Sequence, residues 1–184
     1  MPFTTTDFPG LLVYEPRVFN DDRGYFFESY NHNTFSDGGV TMQFVQDNQA
    51  KSTFGVIRGL HFQQNPNAQT KLIRALSGTI LDVVVDLRAG SSTFHKYFSI
   101  ELSAENKKQL LVPRGFAHGY SVLSETAEVI YKCDGFYHKE SEGGLMYNDS
   151  TLNIDWRVPA GKEMVAAKDL VLPNIEDCKT NFIL

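Results

Sequence analysis

The sequence is poor in cysteine: Cys133 and Cys178 are the only two, and they form no C-x-x-C. Two such residues build no disulfide framework, and both read as free thiols of a cytoplasmic protein. No apolar run approaches the ~18 residues that span a bilayer, so no membrane segment is expected. The opening residues, MPFTTTDFPG, carry neither a basic region nor an apolar core, and no secretory signal is expected in them. There is no G-x-G-x-x-G and no G-x-x-x-x-G-K-[ST], so the glycine-loop modes of nucleotide binding find no support. Positive charge is also scarce. A net charge of −5 argues against a general nucleic-acid binder. It leaves room for a phosphorylated small molecule held by a local Arg/Lys cluster. Linkers, low-complexity segments and internal repeats are absent, so residues 1–184 are expected to form one domain.

What is present is alternation. Apolar residues make up 42% and charged residues 21%, the balance of a soluble globular chain. LIRALSGTILDVVVDLR, from Leu72 to Arg88, reads as a strand, a turn at Ser77-Gly78, and a Val-rich strand carrying Asp82 and Asp86. YFSIELS and AEVIYKCDGFY alternate, and KQLLVPRGFAHGYSVLS runs strand, Pro-Gly turn, strand. Closely spaced Gly and Pro punctuate these runs, as in an all-β barrel or sandwich. NHNTFSDGG fits one helical turn, capped by Asn33 or Thr34 and stopped at Gly38-Gly39. SAENKKQ reads as a helix turn or a hairpin loop, and a short helix is expected around Ile175–Lys179.

Polar residues then stand out against these apolar strands. FGVIRGLHFQ carries Arg58, His61 and Gln63, with QDNQ just before it and Lys71 shortly after. Alternation places His61 and Gln63 on one face. A lone histidine on an apolar strand is most simply a core residue bonded to a carbonyl. Several polar groups converging in a barrel mouth point instead to a small-molecule site, where a neutral imidazole suits a general base. Tyr131, by itself an ordinary interior tyrosine, is on the second reading an acid of high pKa across the pocket. Lys71, by itself a surface cation on an edge strand, is then a fixed charge beside a developing oxyanion. Asp169 is a candidate to orient a histidine, as third groups do in triads. Arg23 and Arg58 suit a pyrophosphate through forked hydrogen bonds.

VPRGFAHGY has the P-x-G-x-x-H spacing of the second half of the cupin metal motif. The first half would bring two histidines one residue apart, and His61-Phe62-Gln63 supplies one. His61 and His118 are too few ligands for zinc or iron, so no metal is expected.

Together VFNDDRGYFFE, QDN, GVIRGLHFQ, TKLIRALSGTILDVVVDLR, STF, VPRGFAHGY, VIYKCDGFY, ESEGG and AAKD resemble the dTDP-4-dehydrorhamnose 3,5-epimerase family over nearly the whole chain. The resemblance implies an all-β cupin fold, a double-stranded β-helix or jelly-roll barrel with a few short helices. It also implies a homodimer whose N-terminal strands pack across the interface. It makes His61 the base, Asp169 its partner, Tyr131 the opposing acid and Lys71 the cation near the substrate's C4 oxygen. Arg23, Glu28, Gln46, Asn48, Arg58, His118, Glu142 and Lys168 fall on substrate contacts, and Tyr137 on the aromatic that packs against the nucleobase. The chain departs from the family at Ala50, His95, Tyr97, Lys139 and Tyr147, none of them the implied acid or base. The implied substrate is dTDP-4-dehydro-6-deoxy-D-glucose, whose C4 ketone acidifies the protons at C3 and C5. Inversion there leaves the redox state unchanged, so no cofactor is needed. The alternatives are a single-site 3- or 5-epimerase and a non-catalytic sugar-binding cupin.

Overall fold

The computed structural model describes residues 2–184. The strands are β1 (Phe3–Thr5), β2 (Leu12–Tyr14), β3 (Phe19–Asp21), β4 (Gly24–Phe26), β5 (Gln46–Thr53), β6 (Val56–Gln63) and β7 (Lys71–Ser77). They continue with β8 (Thr79–Asp86), β9 (Tyr97–Ser103), β10 (Gln109–Val112), β11 (Phe116–Val122), β12 (Thr126–Cys133), β13 (Glu142–Gly144) and β14 (Met164–Val165). One sheet runs β1-β2-β10-β7-β12-β5 and the other β13-β6-β11-β8-β9, with β14 added beside β6. From β5 to β12 the chain changes sheet at every connection except β8 to β9. All pairings but that of β14 are antiparallel. This is the double-stranded β-helix expected of a cupin. The Ser77-Gly78 and Pro113–Gly115 turns are therefore corners between sheets, not hairpins.

The burial pattern follows from this closure. In β8, Ile80 and Val84 join the barrel interior with Ile73, Leu110, Phe116 and Val129. Their neighbours Leu81, Val83 and Val85 face outward, where Leu145, Leu152, Trp156, Ile175 and Phe182 of the C-terminal segment cover them. A strand buried on both faces reads as a continuous apolar run, which is why this stretch is so rich in valine. Asp149 pins that segment: it accepts the Thr151 and Leu152 N–H groups at 2.8 Å and that of Ile175 at 2.7 Å.

Two local expectations need correction. The helix α1 (His32–Asp37) is capped by Asn31, not by Asn33 or Thr34; its side chain accepts both of their N–H groups. The stop at Gly38-Gly39 is as expected, with Gly39 at φ +86°. No helix forms over 175–179, where Ile175 begins a turn. The Asp177 N–H closes one turn on the Asn174 carbonyl at 3.1 Å, with the Ile175 N–H bonded to Asp149, and the turn goes no further. SAENKKQ is a turn between strands. Both cysteines are free, and among the described residues no helix is long and apolar enough to cross a membrane.

Strand β6 carries a bulge. His118 pairs with His61 and Tyr120 with Arg58, so the one residue of β11 between them, Gly119, opposes two of β6, Gly59 and Leu60. Gly59 has φ +119°, and a Cβ there would meet the His118 carbonyl at 2.7 Å. Gly59→Ala is therefore expected to lower stability by ~2–4 kcal/mol in urea unfolding, from the positive φ and the backbone clash together. A change under ~0.5 kcal/mol would show that the bulge tolerates a side chain.

Candidate active site

Strict alternation from His61 would turn Arg58 outward. The bulge restores it, so Arg58, His61 and Gln63 all face one cavity of about 520 Å³ at the barrel mouth. β5 contributes Gln46, Asn48 and Ala50, three residues of one alternating face. β7 contributes Lys71, β11 His118 and Tyr120, and β12 Tyr131. The stretch before β13 supplies Tyr137, β13 supplies Glu142, and the C-terminal segment supplies Lys168 and Asp169. Lys71 stands on an inner strand of its sheet, between β10 and β12, and is not an edge cation.

His61 Nε2 lies 2.7 Å from Asp169 Oδ1. Asp169 is 2% exposed, on a 3-10 turn that rests against β6. With Nε2–H donated to the carboxylate, the neutral ring keeps its lone pair on Nδ1. Burial pushes the His61 pKa below its ordinary value of 6.5, the Asp169 carboxylate pulls it back up, and Lys168 and Lys71 lower it further. The net direction is downward, so the ring is neutral at pH 7. Burial raises the Tyr131 pKa above 10.0, which keeps that phenol protonated. Lys71 Nζ sits 5.9 Å from the Tyr131 ring centroid, and burial lowers the lysine's own pKa against the pull of Cys133, Asp82 and Glu142.

A second imidazole–carboxylate pair backs the first. His118 Nε2 is 2.8 Å from Asp82 Oδ1, and Asp82 is fully buried. Asp82 and Tyr120 escaped the sequence reading, although both left a trace. Asp82 is an acid inside an apolar run, and Tyr120 lies two residues after His118, hence on the same face. At the mouth, Glu142 accepts from the Tyr137 hydroxyl at 2.8 Å and from Lys168 Nζ at 3.2 Å. The tyrosine contact is the larger cause of the lowered Glu142 pKa. Arg58 Nε donates to Ser52 Oγ at 2.9 Å.

Two expected contacts do not reach this cavity within the chain. Arg23 forks onto Asp21 in the exposed β3–β4 hairpin. Glu28 accepts from Asn31 Nδ2 at 3.0 Å beside α1.

A double-stranded β-helix that gathers an imidazole–carboxylate pair, a phenol and an ammonium group around one interior cavity has the frame of an acid–base isomerase. The sequence model described as dTDP-4-dehydrorhamnose 3,5-epimerase matches residues 5–177, and the chain belongs to that family. The enzyme of that description from Pseudomonas aeruginosa is 51% identical over 157 residues, 85% of this chain and 86% of that protein. The crystal structure of the one from Elizabethkingia anophelis NUHP1 is similar with a TM-score of 0.91 at 51% identity, over 95% of this chain and 96% of that one. A dTDP-6-deoxy-D-glucose-3,5-epimerase from Legionella pneumophila Philadelphia 1, in complex with dTDP-4-keto-L-rhamnose, gives a TM-score of 0.91 at 40% identity, covering 96% of this chain and 94% of that one.

The His61 ring is expected to titrate with a midpoint below pH 6.5, read by NMR of the imidazole. Asp169→Asn removes the group that favours the imidazolium, so the midpoint moves lower still. A wild-type midpoint above 6.5, or an upward move in the variant, would contradict this account of the pair.

Proposed function

We propose that this protein is a dTDP-4-dehydrorhamnose 3,5-epimerase, converting dTDP-4-dehydro-6-deoxy-D-glucose to dTDP-4-dehydro-L-rhamnose in dTDP-L-rhamnose biosynthesis. The observation that carries the reading is the His61–Asp169 pair in one cavity with Tyr131 and Lys71, in a chain of that family.

The chemistry accounts for each group. Both acidic protons are alpha to the C4 ketone. In the chair of the D-gluco sugar, H3 and H5 are axial on the same ring face, so one base serves both carbons. His61 Nδ1 takes the proton, and Asp169 stabilises the imidazolium that forms. The electron pair moves into an enolate whose oxygen is met by the Lys71 ammonium; in a partly desolvated site this stabilisation amounts to several kcal/mol. Tyr131 then delivers its proton to the opposite face, which inverts the carbon. The cycle repeats at the second carbon after both groups exchange protons with solvent.

Arg58, Gln46, Asn48, His118, Glu142 and Lys168 are assigned to the diphosphate and sugar, and Tyr137 to the nucleobase. Arg23 and Glu28 are assigned to the neighbouring site of a homodimer. The β3–β4 hairpin that carries Arg23 pairs with no other strand among the described residues and exposes Phe19, Tyr25 and Phe26, an apolar surface suited to a second subunit. We place the protein in the cytoplasm, where two unpaired thiols persist.

Proton NMR of the substrate in D2O tests the reading: deuterium is expected at both C3 and C5, with the product reducible to dTDP-L-rhamnose. Label at one carbon alone would make the protein a mono-epimerase, and none at either would sink the assignment. His61→Asn is expected to lose at least ~10³-fold in kcat with the fold intact. Tyr131→Phe separates the two roles: the base still exchanges deuterium, while inversion slows by ~10²–10⁴-fold.

A further inference from the structure

Tyr137 lies between β12 and the 3-10 turn at Lys139–Ser141, in a stretch with no helix or strand of its own. Its ring is 53% exposed, and its hydroxyl bonds to Glu142. Little packing holds the side chain, so the backbone beneath it sets where the ring stands.

That backbone is held by amide side chains from β6 and the loop after it. Gln63 Oε1 accepts the His138 N–H at 2.6 Å, and Gln63 Nε2 donates to the Phe136 carbonyl at 3.3 Å. The same Nε2 donates to the Asn67 carbonyl at 3.0 Å. One residue grips the peptide groups on both sides of Tyr137. Only one orientation of the carboxamide satisfies an N–H and two carbonyls at once. Gln69 Nε2 adds a bond to the Gly135 carbonyl at 2.6 Å, and Asn67 Nδ2 one to Ser141 Oγ at 2.9 Å. Gln63 is 6% exposed, so breaking its bonds leaves buried groups unpaired. It stands two residues from His61 on the same face of the same strand.

We propose that Gln63 is a positioning residue for the nucleobase: its buried carboxamide clamps the peptide groups flanking Tyr137 and holds the ring in place as the base's stacking platform. This rests on the assignment of Tyr137 to the base made under Proposed function. A platform held before the ligand arrives spares the ordering cost of binding.

The test is calorimetric binding of dTDP and of pyrophosphate, with steady-state kinetics, on Gln63→Met, Tyr137→Ala and the double variant. Gln63→Met is expected to raise the Kd for dTDP about tenfold and KM in parallel, with the fall in kcat/KM carried by KM. Pyrophosphate, which has no base, should bind as to wild type. On the Tyr137→Ala background the Gln63 change should add nothing, because the two act through one ring. If Tyr137→Ala weakens dTDP while Gln63→Met does not, or if the two losses add, the clamp is overturned and the role of Tyr137 stands. If Tyr137→Ala leaves dTDP affinity unchanged, the Tyr137 assignment falls and this proposal with it. A loss confined to kcat would tie Gln63 to His61 instead and overturn the proposal. Should Gln63→Met fail to fold, Gln63→Glu carries the same test, since it keeps the volume and the acceptor for His138 but loses both donors.

Discussion

The hydrogen bond between His61 and Asp169 joins positions 108 residues apart, and the candidate site depends on it. A charge-assisted hydrogen bond contributes a net ~1.5–3 kcal/mol, too little to dock a segment of this length. Burying a single large apolar side chain is worth about as much. The C-terminal segment brings several, among them Leu145, Trp156, Ile175 and Phe182, onto the outer face of β6, β8 and β11. Apolar packing therefore carries Asp169 to its place, and the hydrogen bond then selects the tautomer and aim of the ring.

The same desolvation prepares the site electrostatically. It lowers the His61 pKa and raises that of Tyr131, so the imidazole is unprotonated and the phenol protonated at neutral pH. Two groups whose pKa values are driven apart by one environment are suited to act as an acid–base pair, the roles proposed for them above. Asp169 works against the burial at His61 alone, which keeps the imidazole basic enough to act. The barrel supplies the two sides: His61 comes from one sheet and Tyr131 and Lys71 from the other, and the cavity is the gap between them.

Much of this was legible in the residues. Alternation marks β9 and β12, and the valine-rich run marks the strand covered on both sides. Arg58, His61 and Gln63 stand out because polar groups are costly on an apolar strand, whereas Lys71, Tyr131 and Asp169 took their roles from the family resemblance. Other features were not legible. The bulge at Gly59 breaks the alternation that would have placed Arg58 outward, and only the pairing with β11 reveals it. The expected helix at 175–179 is a single turn, tied by Asp149 from 26 residues away. Asn31, Asn33 and Thr34 all cap helices well, and the choice among them falls to the packing of Phe35 beneath β2 and β10.

By itself, then, the sequence determined an all-β chain, the inward residues of its strands, and the family that its motifs resemble, because side-chain alternation and turn chemistry are local properties. The resemblance implied Asp169 as the partner of His61; only the tertiary structure placed the two in contact, set Asp82 behind His118, and brought Gln63 to the peptide groups around Tyr137. Those contacts join neighbouring strands, or bring a distant segment onto a strand, over 36 to 108 residues of chain. No local preference reports a distance of that kind; it is set by how the two sheets close on each other and by what covers them.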